Sequence, residues 1–385
     1  MKLHFAATAL TLIVSTSSAA DYFPPAGQWQ QKPAAELKVD AVLLQQAVDY
    51  AIKAENKADP DQAIVQATTF GAKEPYDQII GPMKTRAAAN GIIIYKGMVI
   101  AQWGDTQAVD MTHSISKTFL TTVTGLAWQQ GLIHNLQDKV GSYMPHGVDL
   151  YQGAHNSQIR WDHLLRQTSD WQGSLWGKPD WADRPEGKTP ADWPKRPLRT
   201  PGSHYKYNDV RVNLLALSTL YVWRKPLPQV LNEQIMTPIG ASSTWRWYGY
   251  DNSWIELDGQ KIQSVSGGGH WGGGMFINAW DLARFGYLFL RDGKWQDKQL
   301  VSKEWIKLAS TGGSANPEYG FANWFLNPGR KALPSAPASA ITFQGAGRNI
   351  IYIDKDNDLL MVARWIGNGD ELNQLVGKVL AALPD

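Results

Sequence analysis

Apolar residues recur with a short period near the two ends of the chain and with a helical period between them, and this rhythm predicts the elements. Residues 39–57 carry helical spacing. Ile92-Ile93-Ile94-Tyr95 and Met98-Val99-Ile100-Ala101, joined at Lys96-Gly97, predict a β-hairpin over residues 91–105. A helix-forming run over residues 118–132 follows directly on Ser114-Ile115-Ser116-Lys117. Residues 162–167 read as a short helix and residues 210–222 as a longer one. Met275-Phe276-Ile277 reads as a strand, and Asn278 stands where it would cap a helix over residues 279–290. Residues 349–353 and 359–365 predict a second hairpin around the polar turn at residues 354–358, and a helix over residues 371–383 follows it.

The order is hairpin, long mostly helical middle, hairpin, helix. Two hairpins so far apart can complete one antiparallel sheet, with the terminal helices packed on it. The middle then forms a second, all-helical lobe, and the site is expected in the cleft between lobes. The fold class expected is therefore α+β. Residues 21–74 read as a lead-in with one helix, and residues 75–385 as one catalytic domain built from both lobes. Residues 168–202 interrupt the pattern with six prolines and with Trp171, Trp176, Trp181 and Trp193. An irregular stretch this long inside a compact domain is usually functional, so Trp171 and Trp176 are candidates for a substrate pocket. Residues 245–254 are aromatic and turn-rich, and residues 267–274 form a glycine-rich loop, GGGHWGGG, with His270 inside it.

Composition narrows the partners. There are 37 basic and 35 acidic residues, a net charge of +2, and no run of like charge, which argues against nucleic acid and anionic membranes. The start, Met1-Lys2-Leu3, then an apolar stretch through Val14 and small residues at Ser18-Ala19-Ala20, reads as a secretory signal peptide cleaved after Ala20. The stretch is too short to span a bilayer as a helix. A periplasmic or secreted protein is expected, with no membrane span after cleavage. Without cysteine it has no disulfides and relies on its own core. Eighteen tryptophans are too many and too scattered for one core cluster, so some are expected to line a groove.

Several chemistries find no support. The eight histidines are scattered, with no H-E-x-x-H, so no metal is expected. No G-x-S-x-G elbow exists. Gly267, Gly269 and Gly272 match G-x-G-x-x-G, but a strand rather than a helix follows them. A dinucleotide site needs that helix, so no cofactor is expected.

Ser114 and Lys117 offer more. Three residues apart on a helix, they lie on one face. A serine hydroxyl becomes a nucleophile when a base takes its proton, and a neighbouring amine kept neutral by burial can be that base. The helix N-terminus favours both the alkoxide and the neutral amine. An S-x-x-K tetrad alone occurs roughly once by chance in a chain this long. Ser203-His204-Tyr205-Lys206 is a second copy, but it follows the turn at Pro201-Gly202 and has no helix to align it. The bland alternative for Ser114 is a helix cap. A serine–lysine pair also needs a group to pass a proton to the leaving group, and Tyr207 lies just before the next helix.

Three ordered segments carry a resemblance: His113-Ser114-Ile115-Ser116-Lys117-Thr118-Phe119, Leu164-Leu165-Arg166-Gln167-Thr168-Ser169, and Pro201-Gly202-x-x-Tyr205-x-Tyr207-Asn208-Asp209. Together they resemble the serine β-lactamase and penicillin-binding superfamily over about residues 75–383. The class C branch, which also holds esterases and 6-aminohexanoate-dimer hydrolases, is the most similar. The resemblance implies an antiparallel sheet with helices plus an all-helical lobe. It implies Ser114 as the acylated nucleophile, Lys117 as its activator and Tyr207 as general acid/base. Gln344-Gly345-Ala346-Gly347 best fits the third motif, so the N–H groups of Ser114 and Ala346 would form the oxyanion hole.

Three departures shape the expected activity. The tyrosine motif ends in Asp209 where asparagine is usual. A carboxylate there would favour the charged amine of Lys117 and make it a poorer base, unless Asp209 pairs with Arg211 and only orders the loop. No lysine or histidine precedes Gly345 to hold a β-lactam carboxylate, leaving Arg348 as the substitute. No S-D-N triplet exists. The reading is an exported serine hydrolase for a small ester or amide. A β-lactamase or D,D-peptidase acting on cell-wall peptides, and a non-catalytic periplasmic binding protein of the same fold, are the alternatives.

Overall fold

The computed structural model describes residues 21–384; the expected signal segment, residues 1–20, lies outside them. The principal strands in chain order are β1 (Asn90–Tyr95), β2 (Met98–Trp103), β3 (Asp110–Met111), β4 (Arg246–Leu257), β5 (Gln260–Val265), β6 (Gly274–Ile277), β7 (Phe325–Leu326), β8 (Ile341–Gly345), β9 (Asn349–Asp354) and β10 (Leu359–Arg364). The principal helices are α1 (Ala41–Lys53), α2 (Gln62–Thr68), α3 (Ser116–Gln129), α4 (Asp209–Trp223), α5 (Ala279–Leu290) and α6 (Gly369–Ala382).

The two expected hairpins meet. The main sheet is antiparallel in the order β7-β8-β9-β10-β1-β2, with Asn90 opposite Arg364 and Tyr95 opposite Leu359. Side chains alternate across its faces. Ile93, Tyr95, Ile350, Tyr352, Met361 and Ala363 face α1 and α6, where Leu44, Val48, Leu375 and Val379 close one core. Ile92, Ile94, Ile351, Ile353, Leu360 and Val362 belong to the larger core behind the other face. There Phe285 of α5 stacks on Phe119 of α3 at 4.0 Å. Both faces of β1, β9 and β10 are covered, which is why these strands read as continuous apolar runs.

The helix α3 runs through the interior, buried from Ser116 to Ala127. Burying Phe119, Leu120, Val123 and Leu126 contributes roughly 1.5–3 kcal/mol each. The helix begins two residues before the expected run and stops short of its end, where Gly131 takes a left-handed φ of +73°. It packs against α4, and the Thr124 and Thr219 hydroxyls meet at 3.0 Å.

The middle of the chain departs from the expected all-helical lobe. Of residues 245–254, read as aromatic turns, all but Trp245 belong instead to the long strand β4, part of a second antiparallel sheet in the order β3-β6-β4-β5. An irregularity between Gly249 and Trp254 breaks the two-residue alternation that would have marked the strand. The buried Arg364 ties the sheets together, donating to Asn349 Oδ1 at 2.9 Å and to the carbonyls of Ile277 and Met111 at 2.7 Å each.

Residues 168–202 are irregular, as expected, and charge holds them in place. Arg196 and Arg211 both grip Asp170 and Asp180 in a buried cluster, at 2.6–3.3 Å. The lead-in, residues 21–74, packs onto the same body. Arg284 of α5 holds the carbonyls of Pro24, Pro25 and Gln28, and α1 lies against α6.

Candidate active site

Ser114 lies in the 3-10 turn His113–Ile115 that feeds directly into α3. Its hydroxyl caps no helix. Lys117 Nζ donates to Ser114 Oγ at 2.9 Å, and Tyr207 Oη donates to it at 2.7 Å. The preceding residue, His113, has a φ of +49°, an uncommon conformation for a residue with a side chain. Its ring is fixed by Gln62 Oε1 at 3.0 Å and by the edge of Trp365. Burial, with Arg364 and other cations nearby, pushes the His113 pKa down to about 4, so it is neutral at pH 7.

Tyr207 and Asp209 are placed by the start of α4. Asn208 caps that helix by accepting the Arg211 N–H at 3.0 Å, and its own amide donates to the Asp180 carbonyl at 2.7 Å. Asp209 therefore sits in the first helical turn, where the dipole favours a carboxylate. It pairs with Lys117 at 2.6 Å and with Arg184 at 3.3 Å. Arg211, the partner considered from sequence, is engaged by Asp170 and Asp180 instead.

Lys117 is completely buried. Burial alone would lower its pKa, but the Asp209 carboxylate and Tyr207 outweigh it and hold the ammonium above the usual lysine value. Burial works against the Asp209 charge too, yet Lys117, His270 and Arg184 hold its pKa well below the carboxylate range. Lys117 Nζ and the Arg184 guanidinium also stand over the Tyr207 ring, at 4.6 and 4.9 Å. The resting site is thus an ion pair beneath a serine.

A second layer surrounds the pair. Asp183 pairs with Arg184 and accepts the Asp209 N–H. His270 is buried, with Nε2 2.6 Å from Glu74 Oε2 and Nδ1 4.0 Å from Asp209 Oδ2. Glu74, Asp183 and His270 bring one ligand atom each within 4.8 Å of one another, but Arg184 already meets this charge. The glycine-rich loop closes over the ion pair. A Cβ at Gly268 would overlap Asp209 Oδ1 and Lys117 Nζ, so only glycine fits there.

The end of β8 forms the facing wall. Gly345 is pressed so closely against the carbonyl of Thr112 that a Cβ would overlap it. Gln344, Gly345, Ala346 and Arg348 line one cleft with Ser114, Tyr207, Asp209, Arg184 and His270, of about 430 Å³. Arg348 Nη1 donates to Gln344 Oε1 at 3.2 Å.

With this geometry in view, the relatives can be compared. The β-lactamase family model matches residues 92–374, well over half of the chain. The chain belongs to the β-lactamase family. No curated protein sequence matches it. Solved structures of similar fold include EstCE1, described as a hydrolase with promiscuous acyltransferase activity, at 18% identity and a TM-score of 0.57, covering 88% of this chain and 99% of that one. A β-lactamase/D-alanine carboxypeptidase from Pseudomonas syringae is 14% identical with a TM-score of 0.54, covering 84% and 100%. A β-lactamase from Mycobacterium bovis is 19% identical with a TM-score of 0.51, covering 82% and 97%. At these identities the likeness shows the fold.

In this β-lactamase-family chain two expected site residues stand elsewhere. Trp171 is buried in the core, its indole N–H donating to the Leu150 carbonyl at 2.7 Å, and Trp176 packs beside the same core. Neither lines the serine cleft, because a long aromatic stretch supplies packing before it supplies a pocket. The sequence reading missed Arg184, Asp183, Glu74, Gln66 and Phe70. The adjacent opposite charges of Asp183-Arg184, set in an aromatic stretch, are the signal that could have marked the first two.

Proposed function

We propose that the chain is a serine hydrolase that cleaves an ester or amide through an acyl-enzyme on Ser114. The observation that carries this reading is the convergence of Lys117 Nζ and Tyr207 Oη on Ser114 Oγ at the wall of an open cleft. In the acylation step the Ser114 oxygen bonds to the carbonyl carbon, and its proton passes to Lys117 in its amine form. The N–H groups of Ser114 and Ala346 would hold the oxyanion. As the intermediate collapses, the bond to the leaving alcohol or amine breaks, and that group takes a proton through Tyr207. Water then releases the acid and restores the serine. Asp209 keeps the amine form of Lys117 scarce at neutral pH, so acylation is expected to quicken as pH rises.

The third-motif position before Gly345 holds Gln344, not a cation, which favours simple esters and amides over β-lactams. Export through the segment ending at Ala20 belongs to the same proposal. No helix among the described residues is long and apolar enough to cross a membrane. Intact-mass spectrometry after fluorophosphonate treatment tests the nucleophile. One adduct per chain, absent in Ser114→Ala, is expected. A folded wild-type protein that takes no adduct would leave only the ligand-binding role.

A further inference from the structure

The cleft continues beyond Tyr207. A second hollow of about 470 Å³ adjoins it, with Phe70, Lys73, Glu74, Arg184, Pro185 and Trp193 among its walls. Phe70 and Arg184 line both spaces. Phe70, Lys73 and Glu74 precede residue 92, where the family match begins.

Of the charged residues in its walls, Lys73 and Arg184 are cationic and Glu74 is buried. Lys73 is exposed and makes no ion pair among the described residues. Arg184 keeps 35% of its side chain exposed while its inner edge meets Asp183 and Asp209. The nearby carboxylates are engaged. Glu74 is buried and accepts from the Arg184 backbone N–H at 3.0 Å, with His270 at 2.6 Å. Glu186 pairs with Arg199 at 2.8 Å and lies 3.7 Å from Lys206. Asp192 accepts from the Thr189 N–H and hydroxyl, both at 2.9 Å. The apolar part of the wall is aromatic, with the Arg184 guanidinium 5.1 Å above the Phe70 ring.

We infer that this hollow is a subsite for an anionic group, a carboxylate on the substrate limb remote from the scissile carbonyl, held by Lys73 and Arg184 against Phe70 and Trp193. The substrate class narrows to esters or amides that carry a free carboxylate. Its kinetic meaning rests on Ser114 being the nucleophile; its binding preference does not.

The test uses a matched pair, monophenyl glutarate and its uncharged methyl ester, titrated calorimetrically into Ser114→Ala protein. The anion is expected to bind about tenfold more tightly at low salt, as a charge-assisted contact would give. The preference should shrink at 0.5 M salt, roughly, where screening shortens the Debye length to a few ångströms. It should be lost with Lys73→Glu added and reduced with Lys73→Ala, two changes at an exposed position. Equal binding of the two esters, no binding of either, or a preference untouched by Lys73→Glu overturns the subsite. Turnover of the pair by wild-type protein is scored separately. Failure to hydrolyse either would remove the nucleophile while the binding ratio still decides the subsite.

Discussion

Asp209→Asn isolates the contact that sets the charge of Lys117. The side chain keeps its shape, Asn208 still caps the helix, and only the carboxylate charge goes. With Asp209 in place, the Lys117 pKa lies above its ordinary value of 10.5. At pH 7 the amine form is therefore scarce, and forming the base is costly. Without the carboxylate, burial dominates, and fully buried lysines fall by several units. Losing the carboxylate therefore enriches the amine at pH 7. The fluorophosphonate labelling rate of Asp209→Asn at pH 7 is therefore expected to exceed wild type by at least about tenfold. The wild-type rate should climb about tenfold per pH unit from roughly pH 7 to 9, and the variant's profile should flatten. Stability moves the other way, by about 3 kcal/mol in urea melts at pH 7, because a buried charge loses its partner. The sign with pH follows from both partners. Asp209 is depressed, so its contribution is present above 3.8 and lost as pH falls through its lowered folded value. Lys117 is raised, so its contribution is present below 10.5 and lost as pH rises through its higher folded value. Slower labelling by a folded Asp209→Asn protein would refute the reasoning. The working form of Lys117 would then be the ammonium, and the Tyr207 oxygen would take the serine proton.

Tyr207→Phe keeps the ring beneath its two cations and removes the hydroxyl, so kcat should fall by about 10²–10³ with little change in KM, read by steady-state ester hydrolysis. Gly268→Ala drives a methyl group into the Lys117–Asp209 pair; mass spectrometry should show labelling of Ser114 reduced at least about tenfold while circular dichroism keeps the native signal. His113 is depressed from 6.5 to about 4, so its contribution to stability is full above 6.5 and is lost as pH falls from there to about 4. That loss amounts to about 3 kcal/mol, and a thermal-melt series should show it disappear in His113→Gln.

Much of the frame was legible because it is local. Ile92 to Tyr95 and Leu359 to Ala363 are apolar throughout, as strands covered on both faces tend to be. Ser114 and Lys117 are one helical turn apart, so their meeting follows from spacing. The charge state of that lysine was not legible in the same way. Its partner lies 92 residues along the chain, and Glu74 and His270 are separated by 196. A residue type at a given position names a charge but not the charge that answers it, which is why Asp209 stayed open between Lys117 and Arg211. The strand β4 was missed for a different reason: its irregularity erases the alternation on which a strand is recognised.

The pairing of β1 with β10 has a consequence in time. Asp110 and the Trp365 indole meet across 255 residues, and β8, pressed against Thr112, comes nearly as late. A polypeptide emerging amino end first therefore exposes Ser114 and Lys117 long before the wall that completes their cleft exists. The two residues wait, adjacent but unassembled, until the carboxyl-terminal strands arrive and slot into the middle of the sheet. On the proposed function, the order of the strands alone would withhold activity through synthesis, and a chain truncated before β8 is expected to be inert.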